Sequence, residues 1–233
     1  ALPIYEDFLY KLFGINAELL IDHAWGYEPC TIEQIKAYKP TAKSVGTGQV
    51  LHCAYTFDRA RLILKEMTDL LVLDLVDKGL VTNQMVLIVG YDIENLSNSK
   101  GRSKYKGDIT TDVYGRKIPK HARGTANLNK HTASTKLIID AVIELYDEIV
   151  DKELLIRRIN ISANNILEES SIENKPKYEQ MNLFTDYEEL QRKEAEEKAI
   201  LEREKKIQRA ILDIKKKYGK NAVLKGMNLE EGA

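Results

Sequence analysis

The sequence is poor in cysteine, with only Cys30 and Cys53, and has no basic N-terminal stretch followed by an apolar run and a small-residue cleavage site. That usage favours a reduced, cytoplasmic protein over a secreted one held by disulfides. Long apolar runs are missing too. The most apolar window, Leu70 to Val76, is broken by Asp74 and is far shorter than the roughly 20 residues that a bilayer span needs, so no membrane partner is expected. Neither sign of charge dominates: 35 Lys+Arg stand against 36 Asp+Glu. A nucleic-acid function therefore has to be sought in the local distribution of charge.

Catalytic signatures are equally scarce. Gly46-Thr47-Gly48 lacks the third glycine and the following helix of a dinucleotide loop, and no Walker-type run, nucleophile elbow or acid-base dyad is present. His23, Cys30, His52 and Cys53 lack the paired spacing of a structural zinc site, which favours ordinary buried or partly buried side chains. Asp147-Glu148 reads as solvated near a helix end, and Trp25 as packing. No catalytic or metal-ligating residue is assigned.

What is present is a succession of patterned segments. Residues 6–25 place Phe8, Leu12, Phe13, Leu19, Leu20, His23 and Ala24 at spacings near three and four, broken at Phe13-Gly14-Ile15-Asn16, as in two short helices joined by a turn. Residues 28–42, with Pro29, Lys36, Lys39 and Pro40, read as an extended tether with room for one helical turn. Ser44 to Cys53 reads as a strand. Thr56 then caps a helix to Lys78 with the stripe Ala60, Ile63, Leu64, Met67, Leu70, Leu71 and Leu75, stopped by Gly79.

Gln84 to Ile93 is a strand with Leu87, Val89 and Tyr91 on one face. A long connection from Glu94 to His121 holds a hairpin around Asp112-Val113-Tyr114-Gly115, and Gly124 to Leu128 is a short strand. Thr132 caps a second helix with Leu137, Ile138, Ala141, Val142, Leu145 and Ile149 as its stripe, and Leu154 to Asn164 is the last strand.

The order β-α-β-β-α-β predicts an α+β fold: a four-stranded sheet with two helices on one face, each carrying the chain between parallel, non-adjacent strands. The other face stays open. Alternation in the last strand sends Leu155, Ile159 and Ile161 to the core and Arg158, Asn160 and Ser162 to that open face. A linker follows Asn165. The charged helix from Tyr187 to Tyr218, with Leu190, Ile200, Leu201, Ile207, Ile211 and Ile214, carries too little apolar surface to fold alone, and the residues after it are expected to fray.

Sorted by segment, charge becomes informative. Lys100, Arg102, Lys104, Lys106, Arg116, Lys117, Lys120, Arg123 and Lys130 face only Glu94, Asp108 and Asp112 between residues 94 and 131. Cations mixed with Ser, Thr, Gly and Asn suit phosphate contacts, although a merely solvated loop has the same composition. Gln180-Met181-Asn182-Leu183-Phe184 sets a Leu-Phe pair in a polar linker, which suits a partner's pocket or, alternatively, folding back onto the domain.

Several segments together resemble the Y-family DNA polymerases, in particular the bacterial ultraviolet-repair branch of ImpB/MucB/SamB type. Lys11-Leu12-Phe13-Gly14 and Leu19-Leu20-Ile21-Asp22-His23-Ala24-Trp25-Gly26 look like the end of that family's thumb domain. Lys43-Ser44-Val45-Gly46-Thr47-Gly48-Gln49-Val50-Leu51, Glu66-Met67-Thr68 and Leu87-Ile88-Val89-Gly90-Tyr91-Asp92 look like its little finger. Lys215-Lys216-Lys217-Tyr218-Gly219-Lys220-Asn221-Ala222 also looks characteristic of the branch.

The resemblance implies that the little finger holds primer-template DNA by its backbones, with Lys43, Ser44, Lys104, Lys106, Arg123, Arg158, Asn160 and Ser162 as the matching candidates. It implies that Gln180, Met181, Leu183 and Phe184 enter a cleft on the bacterial sliding clamp. The setting it implies is DNA repair and damage tolerance by translesion synthesis, within the SOS response. Catalytic carboxylates belong to a palm preceding the thumb, so no cofactor is expected in this chain and magnesium is expected in the full-length polymerase. The expected organisation is a thumb remnant at 1–27, a tether at 28–42, the little finger at 43–167, a linker with the clamp peptide at 168–187 and a helical tail at 188–233. The alternative is a helical interaction scaffold without a DNA function.

Overall fold

The computed structural model describes residues 6–38, 44–97, 105–112, 114–173 and 187–229, and divides the chain into two compact units, Ala1–Ala42 and Lys43–Ala233. In the first unit, α1 (Glu6–Phe13) and α2 (Asn16–Ala24) form the expected helix pair, with the Gly14 amide donating to the Tyr10 carbonyl at 2.9 Å. The tether contains a third helix, α3 (Ile32–Ala37). Its Thr31 closes a capping box with Gln34, which satisfies donors at both positions. Trp25 does not pack; it is 83% exposed. His23, Cys30, His52 and Cys53 are exposed as well, not buried as their spacing suggested.

The second unit is built on β1 (Val45–Tyr55), α4 (Phe57–Asp77), β2 (Leu80–Tyr91), β5 (Ala122–Thr132), α6 (Thr135–Ile149) and β6 (Ile156–Asn164). Between β2 and β5 lie the single-turn α5 (Glu94–Ser97) and the hairpin β3 (Ile109–Thr111) and β4 (Lys117–Pro119). The main sheet runs β1-β6-β2-β5 with antiparallel neighbours throughout. Consequently β1 and β2 are parallel and separated by β6, and β5 and β6 are parallel and separated by β2. The α+β class and the role of each helix as a crossover are those expected from the element order.

The core lies between the sheet and the two helices. Leu87 and Val89 of β2, Ile159 and Ile161 of β6, Leu64 and Leu75 of α4, and Ile138 and Val142 of α6 are fully or almost fully buried. Burial of such side chains is worth about 1.5–3 kcal/mol each relative to exposure. Where α4 meets α6, Arg61 donates two hydrogen bonds of 2.8 Å to Asp147. These hold the Asp147 carboxyl below the usual carboxylate range, so Asp147 is an ion-pair partner and not simply solvated.

Several expectations need correction. Leu70 is 57% exposed, whereas Val72 and Leu73 are buried, so α4 buries a wider arc than one stripe. Thr56 occupies the N-cap position of α4 without a side-chain capping bond. Ser134, not Thr132, caps α6, accepting from the Leu137 amide; the Thr132 hydroxyl instead accepts from the Ser134 amide. In β6 the buried residue before Arg158 is Ile156 and not Leu155. The register jumps from Gly90↔Arg158 to Tyr91↔Ile156, so Arg157 is the extra residue of a bulge that reverses the alternation.

The linker and tail also differ from expectation. β7 (Leu167–Glu168) pairs with the start of β2 and leads into α7 (Glu169–Glu173). The tail helix α8 has the expected bounds, Tyr187–Tyr218, and is docked on the domain, and the described residues that follow it, up to Leu229, are folded as well. Gln208 is 5% exposed and donates to the Ala133 carbonyl at 2.9 Å and the Thr135 hydroxyl at 2.8 Å. One turn earlier, Glu204 accepts from the Ser134 hydroxyl at 2.6 Å and the Lys136 amide at 3.1 Å, adding a carboxylate to the N-terminus of α6. Beyond α8, the 3-10 turn Gly226–Leu229 returns to α4, with Asn228 donating to Glu66 at 2.6 Å and Lys225 paired with the buried Asp69.

Candidate nucleic-acid interface

The face of the sheet turned away from α4 and α6 can be read directly from the register, because residues paired across an antiparallel ladder point to the same side. One row is Gly46, Ser162, Val86 and Thr125; the next is Gly48, Asn160, Ile88 and Arg123. Arg158 lies between Val50 and Gly90, and Gln84 between Asn164 and Asn127 on the neighbouring part of the ladder. The inward partners in the same strands are the buried Met85, Leu87, Val89, Ile159, Ile161 and Ala163. The surface is therefore low on β1, where Gly46 and Gly48 precede the exposed Val50, polar on β6, half-buried aliphatic at Val86 and Ile88, and polar again on β5.

Two cations stand on this face. Arg123 and Arg158 are exposed, and among the described residues neither has a carboxylate within 4.0 Å. The Arg158 Nε donates to Asn160 Oδ1 at 3.4 Å, a long bond that draws the two side chains together. Gln84 donates to Asn127 Oδ1 at 2.9 Å. Strand neighbours lie about 4.8 Å apart, so Arg158 on β6 and Arg123 on β5 flank the Val86 and Ile88 strip at two strand spacings.

The basic flange proves less free than its composition. Lys120 bonds to Asp108 at 2.9 Å, which pushes its ammonium above the ordinary lysine range. Arg116 is held by Asp112 at 2.7 Å, the same carboxylate that accepts the Tyr114 amide at 2.9 Å and the Arg116 amide at 2.8 Å in the hairpin turn. Lys130 pairs with Glu197 of α8. Lys106 and Lys117 remain exposed beside the hairpin.

The structure thus brings Arg123, Arg158, Asn160 and Ser162 onto one face. Ser44 is exposed just before β1, and Lys106 lies on the segment leading to β3. Lys43, Lys104, Gln180, Met181, Leu183 and Phe184 lie outside the described residues. Thr125, Asn127, Gln84 and Asn164 share the open face and were missed. Alternation within the expected strand Gly124 to Leu128 already sets Thr125 and Asn127 apart from Gly124, Ala126 and Leu128 and would have found the β5 pair. Among the described residues, no group of three or more His, Cys, Asp or Glu side chains could hold a metal ion. No helix among these residues is long and apolar enough to cross a membrane.

Comparison with known proteins adds the following. Residues 42–183 match the family model described as the impB/mucB/samB family C-terminal domain. No curated protein matches the chain. Among solved structures, it is similar to a Y-family DNA polymerase chimera of Dbh and Dpo4, with a TM-score of 0.38 and 15% identity, over 70% of this chain and 38% of that one. It is also similar to a complex of beta-clamp processivity factor and little finger domain of PolIV (TM-score 0.35, 9% identity, 61% of this chain and 99% of that one). A post-insertion binary complex of Dbh DNA polymerase gives a TM-score of 0.33 and 14% identity, over 70% of this chain and 39% of that one. The chain spans under two fifths of the length of the chimera.

Proposed function

The chain belongs to the impB/mucB/samB family through that family's C-terminal domain, and from this premise we propose that its open sheet face grips primer-template DNA while Gln180 to Phe184 recruits a bacterial sliding clamp. One observation carries the DNA reading: two arginines without carboxylate partners among the described residues stand on a polar sheet face that α4 and α6 leave uncovered. Guanidinium groups neutralise phosphates, and the hydroxyl and carboxamide groups of Ser162, Asn160 and Thr125 supply neutral partners that fix register without reading bases. Binding is then tolerant of sequence and steeply dependent on salt.

In this reading Lys106 and Lys117, with Lys43, Ser44 and Lys104, extend the grip beyond the sheet. The Leu183 and Phe184 side chains fill a clamp pocket, which keeps a polymerase on its template. The whole protein would perform translesion synthesis in DNA damage tolerance, in the SOS response, with magnesium chemistry residing in its palm; this chain would contribute grip and recruitment. Cytoplasmic residence follows from the same role.

The test is titration of primer-template DNA at two salt concentrations. Parent protein should bind with a log-log salt slope of several units, and Arg123→Ala with Arg158→Ala should flatten it by about two, near 0.9 per phosphate contact. Affinity indifferent to salt, or unchanged in the double variant, sinks the DNA reading. For the clamp peptide, Leu183→Ala with Phe184→Ala should abolish clamp pull-down; retained binding places recruitment elsewhere.

A further inference from the structure

Resting on the DNA reading above, we propose that Gly48 is a positioning residue: its missing side chain is the space in which Asn160 lies, and Asn160 in turn holds Arg158 toward the ligand. Gly48 and Asn160 are direct partners in the β1/β6 ladder, on the open face. A Cβ built at position 48 would stand 2.1 Å from Asn160 Oδ1 and 3.2 Å from its Cγ, but 3.7 Å from the nearest backbone atom, the Ile159 carbonyl oxygen. The carboxamide therefore leans across the β1 backbone, and any side chain at 48 must evict it.

That leaning pose has a second consequence. With Oδ1 accepting the Arg158 Nε, the Asn160 Nδ2 keeps its own donors for a ligand, and the guanidinium keeps its terminal nitrogens. A phosphate could receive both, in a charge-assisted pair that neither side chain makes alone. Gly46 differs in kind. A Cβ there would meet Ser162 Cβ at 2.8 Å and the Ile161 carbonyl oxygen at 3.1 Å, so substitution at 46 presses on the strand itself, whereas substitution at 48 moves only the end of a side chain.

The experiment is a double-mutant cycle in the full chain, with primer-template DNA as the probe and thermal unfolding measured on every variant. Gly48→Ala should leave the unfolding temperature within about 2 °C, weaken DNA binding about tenfold and reduce the salt slope by about one. In an Asn160→Ala background the same change should have no further effect, because the side chain to be evicted is gone. An equal loss in both backgrounds, or a Gly48→Ala protein that binds as well as parent, overturns the proposal. Arg158→Ala separates the two levels: if it leaves binding untouched, the DNA reading of the face fails, and if it weakens binding while Gly48→Ala does not, only the positioning role fails.

Discussion

Gln208→Ala tests whether the tail helix is part of the domain. The Gln208 carboxamide is 5% exposed and makes two hydrogen bonds of 2.9 Å and 2.8 Å to Ala133 and Thr135, at the junction of β5 and α6. Each neutral bond is worth about 1 kcal/mol net, and the carbonyl and hydroxyl left behind lie under the helix, where water reaches them poorly. A loss of about 2 kcal/mol is expected. In a domain of this size that corresponds to about 4–8 °C in unfolding temperature. Should α8 undock before the domain melts, thermal unfolding will understate the loss. Exchange of the Lys136 amide, which donates to Glu204 at 3.1 Å, should then accelerate. Gln208→Glu should cost more, since it turns a donor into a buried carboxylate facing a carbonyl oxygen. An unfolding temperature within 1 °C of parent, together with unchanged Lys136 exchange, would refute the docked helix.

Leu71→Ala should cost about 2–5 kcal/mol in denaturant unfolding and Leu70→Ala less than about 0.5 kcal/mol, because one is buried and the other largely exposed; equal costs would restore the single-stripe view of α4. Tyr146→Phe should lose about 1–2 kcal/mol, since its hydroxyl donates to the Phe57 carbonyl at 2.9 Å. Burial pushes that phenol far above its ordinary pKa, so ultraviolet titration should show it ionising only with unfolding. Asp147→Asn tests pH dependence. The Asp147 pKa is lowered in the folded state by the Arg61 hydrogen bonds, so the pair's stabilisation is fully present above the unfolded pKa of about 3.9 and disappears as pH falls through the folded pKa. Parent should therefore exceed the variant by about 0.5–1 kcal/mol at pH 7, a solvent-screened value, with the gap closing on acidification.

The α+β order was readable because helical stripes and strand alternation agreed along residues 44–164, and alternation alone placed Arg158, Asn160 and Ser162 outward. It failed one residue before Arg158, where the Arg157 bulge reverses the pattern; a bulge carries no periodic signal. The tail helix was legible over Tyr187–Tyr218, but its docking was not. Among the described residues its thin stripe leaves only Leu201, Ile211 and Leu212 half-buried, and Gln208, Glu204 and the Lys205–Glu169 and Lys216–Asp77 pairs add polar contacts that hydrophobic patterning does not detect. The flange overstated its free charge because Asp108 and Asp112 within it each take a cation, Lys120 and Arg116, and because Lys130 finds Glu197 far outside the segment.

The two faces of the sheet answer why a near-neutral chain can still suit a polyanion. Acidic side chains on α8 and α4 are spent on the helical side: Glu204 at the start of α6, Asp77 with Lys216, Asp69 with Lys225. On the open face the ladder alternates Arg, Asn, Ser and Thr with glycine and aliphatic residues, and no Asp or Glu stands among those the register places there. Cations and carboxylates thus pair locally on the helical side, while the open face keeps Arg123 and Arg158, a local excess that the near-zero total hides. Because α8 makes its described contacts with the helical side and the β5–α6 junction, docking the tail and binding on the open face do not compete for the same side chains. Arg158→Ala should then leave Lys136 exchange unchanged, and Gln208→Ala should leave the DNA salt slope unchanged. Cross-effects between the two would mean that the faces are coupled through the strands they share.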